Sequence, residues 1–476
     1  MKFLIKYLSK NRTVYLIIVL MAVLMSVTAI MKHRVYKSGG DLALFDQILR
    51  NTAHGKIGYN SQKQEIFFQE HSAFILIPLS VFYLIYDNPV TLLIIQSFFL
   101  IIPALPLYWI AKELTRNFHI AIALFTMYIL SPYVWNAGLT DFHQETIAPL
   151  FFLLAFYFLI KNNWIGYSIS IFLVLLCKED MALYCIALGV FSLLFLKNKE
   201  IKIVGVVTII ISISYFLICM ELIIKYYSKY SGHFTLESQY SYLGTNMHDI
   251  FNKIFKSPLK LIIQVITHIF RWEVIKSVFN IMVNSLFLPL FNLPVTLTLM
   301  ILPVGVNILS DNHLYYCFQQ HYSMPMVSFL YICSIYGLLK LIQSKINLIS
   351  KIQLISRIII IFAFINWVAI YPKLMFEYSK RTEHHRILDE FINELPENIK
   401  ISAQHHIAPH LYKISNVYLY PVLYDADYLL FDVNINKFPF DDITYKRHLN
   451  SIKSNPCYKV VKQKDGILLI KKIGLR

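Results

Sequence analysis

The chain has 476 residues, 57% of them hydrophobic and only 15% charged, with a mean hydropathy of +0.54; a soluble domain carries about a quarter charged residues, so water is excluded as its main solvent. Its net charge is +16, yet Lys and Arg punctuate the apolar runs and form no single basic patch, which excludes a nucleic-acid face and leaves membrane lipids and phosphorylated lipids as partners. Six cysteines without CxxC spacing set no disulfide or zinc framework.

Runs such as 14–31, 90–111, 201–220 and 358–370 are too long for a globular core and show no strict alternation. In hydrocarbon a helix bonds all of its own backbone groups, so such runs select helix over barrel strand. The chain therefore reads as an α-helical polytopic membrane protein of about eleven spans. The first run follows Lys2, Lys6, Lys10 and Arg12, with no small-x-small cleavage site after Met31, and is expected to be an uncleaved signal anchor with a cytoplasmic N-terminus. The apolar segment 72–86 is shorter than the about 20 residues a crossing needs and reads as a half-buried interfacial helix.

The spans then fall at 14–31, 88–111, 119–136, 146–160, 164–177, 181–196, 203–223, 277–291, 293–309, 323–342 and 354–371. This count puts Lys112, Arg116, Lys161, Lys197, Lys199, Lys202, Lys340, Lys345, Lys351 and Arg357 on the cytoplasmic side, as the positive-inside rule requires. Counting 72–86 as a full span would put Lys112, Arg116 and the lysines of 197–202 outside. Lys32, Arg34 and Lys37 run against the chosen count, as does the basic loop 225–276, although long loops obey the rule weakly. That loop mixes polar and apolar stretches and reads as a loop followed by helices lying along the interface.

The transmembrane domain is expected to cover 1–376, with interfacial helices in 32–87 and 225–276, and a soluble extracytoplasmic α/β domain to cover 377–476. In the latter, 400–402, 417–420, 428–433, 458–461 and 467–470 read as short strands, Asp465-Gly466 as a hairpin turn, and 382–394 and 407–412 as helical.

With this topology Asp41 and Asp46, Glu70 and His71, Asp141, His143 and Glu145, Lys178, Glu179 and Asp180, and Asp311, His313 and His321 all emerge on the outer face. Charges at span ends either meet headgroups and water or share a polar cavity, and several acids and bases on one face point to one shared cavity. Gly39-Gly40 precede Asp41 at an apolar helix start, where Asp41 is either a cap or a base or metal ligand. Asp141 and Glu145 are four apart and share a face if the helix starts early. Asp141 and His143 have the spacing of a divalent-ion pair but lack a third partner. Lys178-Glu179-Asp180 interrupt an apolar run, as a phosphate site or as a plain turn. His405, His406 and His410 have no accompanying Cys or carboxylate at ligand spacing, which favours a structural role.

Gly40-Asp41-Leu42 through Gln47, Glu70-His71-Ser72, Asp141-Phe142-His143, Lys178-Glu179-Asp180, the stretch 307–311, His321-Tyr322-Ser323 and Ser402-Ala403-Gln404 through Pro409-His410 run over nearly the whole chain. In order and spacing they resemble the family of predicted membrane proteins catalogued as domain of unknown function 2079. The order of loops up to about Leu196 also resembles the GT-C membrane glycosyltransferases, such as protein O-mannosyltransferases and the aminoarabinose transferase of lipid A. Asp41, Asp141 and Lys178 occupy the places of their loop acids and lysine, whereas Ser72-Ala73 stand here where many of those enzymes have a Pro pair after the acidic or His residue.

This resemblance implies transfer of a sugar from a polyprenyl-phosphate donor to a lipid, glycan or protein acceptor at the outer face of the plasma membrane. It implies Asp41 and Asp141 as catalytic residues, Asp41 as base and Asp141 as a second acid or metal partner, with Lys178, His71 and His143 near the donor phosphate. Asp46, Glu70, Glu145, Glu179, Asp180, Asp311 and His321 would line the rest of the cavity. No cofactor is required; Mg²⁺ or Mn²⁺, if used, would fall to Asp41, Asp141 and His143. A lipid or sugar transporter and a non-catalytic envelope protein on the same scaffold are the alternatives. The outer-end placement of the charges, without visible half-to-half symmetry, speaks against the transporter.

Overall fold

Backbone that must bond itself in hydrocarbon folds first into long helices. The computed structural model describes residues 12–228, 239–244, 247–344, 351–435 and 437–473. Seven helices in it are long and apolar enough to cross a membrane: Arg12–Arg34, Val90–Thr115, Phe118–Gly138, Lys199–Tyr227, Leu288–Ile308, Gln320–Gln343 and Ile352–Tyr378. Shorter apolar helices at Gln144–Ile160, Trp164–Leu175 and Met181–Phe195 stand among them. Ten of the eleven expected spans fall on these helices.

The remaining one, 277–291, is not continuous. Helix Trp272–Asn284 stops at Ser285, Leu286 and Phe287 turn left-handed at φ 51° and 55°, and a 3₁₀ turn, Leu288–Asn292, leads into Leu293–Ile308. The break is set by tertiary packing. The Leu288 carbonyl presses on Gly337 of Gln320–Gln343, where any Cβ would collide with it, so neither residue's own identity marks the kink.

The loops sort to two ends. Lys161 pairs with Glu113 at 2.6 Å, Asn198 bonds Asn162 at 3.4 Å and Gln353 meets His119 at 3.4 Å, gathering the basic loops after Thr115, Ile160 and Phe195 and the start of Ile352–Tyr378 at one end. Lys2, Lys6, Lys10 and Lys345 lie outside the described residues. At the opposite end Lys32 stands 3.9 Å from Asp141 and Lys37 pairs with Glu377, so two of the three basic residues that run against the positive-inside count face acids.

Segment 72–86 forms short turns, Leu76–Leu79 and Ser80–Leu84, that bury Leu76, Leu79 and Tyr83 and expose Ile77, Val81, Phe82 and Leu84. That half-buried pattern is the one an interfacial helix needs. Helices Met247–Lys256 and Pro258–Ile269 likewise expose Phe255, Leu259 and Ile263 beside Lys253, Lys256 and Lys260.

Hairpin β1 (Tyr59–Asn60) and β2 (Glu65–Ile66) precedes a five-stranded sheet of β3 (Lys400–Ala403), β4 (Asn416–Leu419), β5 (Tyr428–Asp432), β6 (Tyr458–Lys464) and β7 (Ile467–Lys472), in the order β4-β3-β5-β7-β6. β3 runs parallel to β4 and β5, and β7 antiparallel to β5 and β6. Asp465 and Gly466 are both left-handed (φ 48° and 79°), which a two-residue hairpin turn requires. Period-two alternation sends Leu430 and Leu469 to a core with helix Glu383–Asn393, and Leu429, Phe431 and Leu468 to one with helix Asp442–Ser454. The first core also takes in Tyr36 and Ala43. The sheet thus sits on the end of the bundle where 32–61 lies, fastened by Tyr36 Oη donating to Asp389 at 2.6 Å and by Ser61 against Val417.

Candidate active site

The site begins with a helix that lacks its own cap. Gly39 is the N-cap of Gly40–Ala53 and has no side chain to satisfy the helix's free N–H groups. The carboxylate of Asp141, about a hundred residues on, does so instead, accepting from Gly39 N at 3.0 and 2.8 Å and from Leu42 N at 3.4 Å. A Cβ at Gly39 would strike that carboxylate, and one at Gly40 would strike His405 and Leu419. The glycine pair is there for close approach on both sides.

With its cap supplied from elsewhere, Asp41 is released. Its side chain is 62% exposed, and its Oδ2 lies 3.6 Å from Nε2 of His143. The His143 ring stacks on His321 with centroids 3.4 Å apart and meets Phe45 edge-on at 5.3 Å. His321 is buried, and its Nδ1 has no hydrogen-bond partner among the described residues. One buried amide holds the loop between them: Gln96 donates to the carbonyls of Ala137 and Thr140 and accepts from His143 N at 3.0 Å.

The floor of the site is charged and buried. Lys178 Nζ bonds Glu145 Oε1 at 2.7 Å and lies 3.9 Å from Asp180, with about 5% of the Lys178 and Glu145 side chains exposed. Glu179 accepts from Ser72 N at 2.9 Å and meets His71 Nδ1 at 2.9 Å. Burial works against the Lys178 charge, but Asp180, Glu145 and their neighbours more than offset it, holding its pKa above that of an ordinary lysine. Burial also raises Glu179, and His71 outweighs it, keeping that carboxyl below its ordinary value. Asp180 is pushed up to about 6 by burial, against the pull of Lys178 and with Glu179 and Glu145 adding to it. Glu145 Oε2 and Asp180 Oδ1 are buried without a hydrogen-bond partner among the described residues. Beside them opens a cavity of about 340 Å³, polar at His71, Glu179, Asp180, Gln239, Tyr240 and Tyr315 and elsewhere apolar, with Phe216, Leu302, Val306 and the exposed Ile301 in its walls.

Asp41, His71, His143, Glu145, Lys178, Glu179, Asp180 and His321 therefore come together, with Asp141 behind Gly39. Asp46, Glu70 and Asp311 do not join them. Asp46 is buried against Arg50 at 2.8 Å and Tyr83 Oη at 2.9 Å, and burial raises its pKa to about 6 despite Arg50. Glu70 pairs with Lys63, and Asp311 with His268 at 3.0 Å. Asp141 and Glu145 share no helix face: residues 141–143 are extended, a 3₁₀ turn covers Gln144–Thr146 and the α-helix starts at Ala148, so the two carboxylates point to different partners. His405, His406 and His410 also part: His405 packs on Gly40 and Phe438, His406 lies 3.8 Å from Asp432, and His410 stacks on His33 at 4.1 Å and Tyr36 at 3.9 Å. Gln96 was not singled out from sequence, although a lone amide within the run 88–111 carries the signal of a buried polar group in a span.

Among the described residues no group of three or more His, Cys, Asp and Glu side chains could hold a metal ion. Asp41, Asp141 and His143 are not among such groups, and Asp141 accepts from the Gly39 and Leu42 N–H groups.

A family model described as "Predicted membrane protein (DUF2079)" matches residues 32–469. No curated protein sequence matches the chain. Among solved structures, the crystal structure of ArnT from Cupriavidus metallidurans bound to undecaprenyl phosphate is similar with a TM-score of 0.56, at 10% identity, over 96% of this chain and 98% of that one. The apo-state structure of ArnT is similar with a TM-score of 0.50, at 10% identity, over 95% and 97%. At this identity the likeness is one of fold.

Proposed function

The chain belongs to the DUF2079 family of predicted membrane proteins and is an integral membrane protein with an ArnT-like fold; from that premise we propose that it is a membrane glycosyltransferase working at the extracytoplasmic face. In this reading it moves a sugar from a polyprenyl-phosphate donor to a hydroxyl acceptor. The observation that carries it is the meeting of an exposed carboxylate, an imidazole pair and a buried lysine beside an apolar cavity at the end of the bundle that bears the sheet. The undecaprenyl phosphate of the ArnT crystal structure supports a polyprenyl lipid as ligand. The basic loops at the opposite end support a cytoplasmic placement for that end.

Asp41 takes the acceptor's hydroxyl proton as the acceptor oxygen bonds the anomeric carbon, and the bond from that carbon to the phosphate oxygen breaks with its electron pair. Polyprenyl phosphate leaves. His143, 3.6 Å from Asp41, orients the carboxylate. His71 and Lys178 face the leaving phosphate; an ammonium has three donors, and Glu145 uses one of those on Lys178. The apolar walls of the 340 Å³ cavity take the proximal part of the prenyl chain. Asp141 positions Asp41 through Gly39 and is not itself a proton carrier.

Purified protein given a panel of radiolabelled polyprenyl-phosphate sugars together with a panel of lipid, glycan and peptide hydroxyl acceptors tests this. At least one should lose its sugar in a protein-dependent way, and Asp41→Asn should slow that loss about a hundredfold or more. Release from none of them, or release unchanged in Asp41→Asn, would overturn the reading.

A further inference from the structure

A second cavity, of about 530 Å³, lies at the same end of the bundle between Phe118–Gly138, Trp272–Asn284, the 317–320 turn and the end of Ile352–Tyr378. Its volume is within the about 300–1,000 Å³ usual for small-ligand sites. The lining is unlike that of the charged floor described above. It contains no Asp, Glu, Lys, Arg or His, and five of its side chains are carboxamides: Asn136, Asn280, Asn284, Gln319 and Gln320.

Five amides converge among these helix ends: Asn136 accepts from Tyr371 Oη at 2.9 Å and Asn284 donates to the Asn280 carbonyl at 2.9 Å, whereas Asn280 and Gln319 present their side chains exposed. Asn280 and Asn284 are four apart on one helix and so share a face. The Gln pair sits on a turn held with Phe318 and Gln320 left-handed, at φ 52° and 54°, a conformation that costs of order 1–3 kcal/mol per residue and persists where the surroundings impose it. The side chains of Asn280, Gln319 and Gln320 have no hydrogen-bond partner among the described residues. Lys37 and Glu377, near the Tyr378 rim, satisfy each other.

A carboxamide offers two donors and an acceptor with no charge. That set matches vicinal hydroxyls, which each donate and accept, and it offers nothing to compensate a phosphate, carboxylate or amine. Tyr133 adds a half-buried ring to the wall, a face for the C–H side of a sugar. We propose that this cavity binds the uncharged, hydroxyl-rich rings of a glycan. Gln320 and Thr140 of its lining are chain neighbours of His321 and Asp141. The bound glycan would therefore be the acceptor in sugar transfer; that identification alone rests on the reading above, and the binding does not.

The test is calorimetric titration of the full chain, in a detergent without a sugar headgroup, with neutral oligosaccharides of glucose, mannose, galactose and N-acetylglucosamine and with uronic-acid counterparts. Saturable binding of at least one neutral oligosaccharide is expected, weakened tenfold or more in Asn280→Ala combined with Gln319→Ala. Both positions are exposed, so the variant should melt as the unaltered protein does. Binding of none, preference for the acidic panel, or affinity unmoved by the double substitution would overturn the inference. Sugar release without oligosaccharide binding would sink this inference and leave the transfer reading standing; binding without release from any donor would do the reverse.

Discussion

On one side of the ionisable cluster Lys178 and Glu145 meet at 2.7 Å with about 5% of each side chain exposed; on the other, Asp41 is 62% exposed and only loosely placed, 3.6 Å from His143. The first arrangement satisfies charge by charge and spends it on holding three segments together, the 144–147 turn, the 176–180 turn and, through Glu179 and His71, the start of the interfacial helix. The second leaves a carboxylate free because another carboxylate, Asp141, has taken over its capping duty. Residue types that look alike in sequence therefore divide into those that fix the site and those that can react there, and the division follows from what each one touches.

The largest effect on stability is expected on the paired side. Lys178→Met leaves Glu145 charged and buried without its partner, which costs about 3–5 kcal/mol. It should be read as a marked fall in melting temperature in detergent. Lys178→Met combined with Glu145→Met removes both charges and should recover most of that loss, because a buried pair exchanged for apolar residues is often neutral. A single variant that melts with the unaltered protein would show that the pair anchors nothing.

A smaller effect is expected where the two sides join. Asp141→Ala takes away the acceptor for Gly39 N and Leu42 N and the negative charge at the start of Gly40–Ala53, a loss of about 1–2 kcal/mol. Amide exchange should quicken at residues 39–42 while the sheet remains protected. Unchanged exchange there would mean that the glycine turn is held by its packing against His405 and Leu419 and not by Asp141.

Much of this architecture can be read from residues alone, for identifiable reasons. Apolar runs marked the seven helices long enough to cross and three shorter apolar ones among the described residues, because length and composition are local properties. Asp465-Gly466 marked its hairpin because the turn demands left-handed residues. The charged clusters stood out because they interrupt those runs, and the parity of the crossings brought 39–46, 141–145, 178–180 and 321 to one end. What did not show is pairing. Nothing near Asp141 says that it will cap a helix a hundred residues earlier, and nothing at Leu286 and Phe287 announces a break that Gly337 makes room for. The amides of the second cavity come from three separate segments, each unremarkable by itself.

Asp41→Asn is expected to change stability least, and it sharpens the contrast most. The side chain is exposed, caps nothing and has His143 at 3.6 Å as its ionic neighbour, so its removal should move the melting point by less than the about 0.5 kcal/mol typical of surface substitutions. An amide of the same shape keeps the volume and loses the basic oxygen, so any fall in sugar transfer would report on proton removal and not on folding. Melting curves and transfer rates measured on the same preparation separate the two. A variant that unfolds early would place Asp41 with Lys178 and Glu145 among the residues that hold the site, and the difference between the two sides of the cluster would vanish.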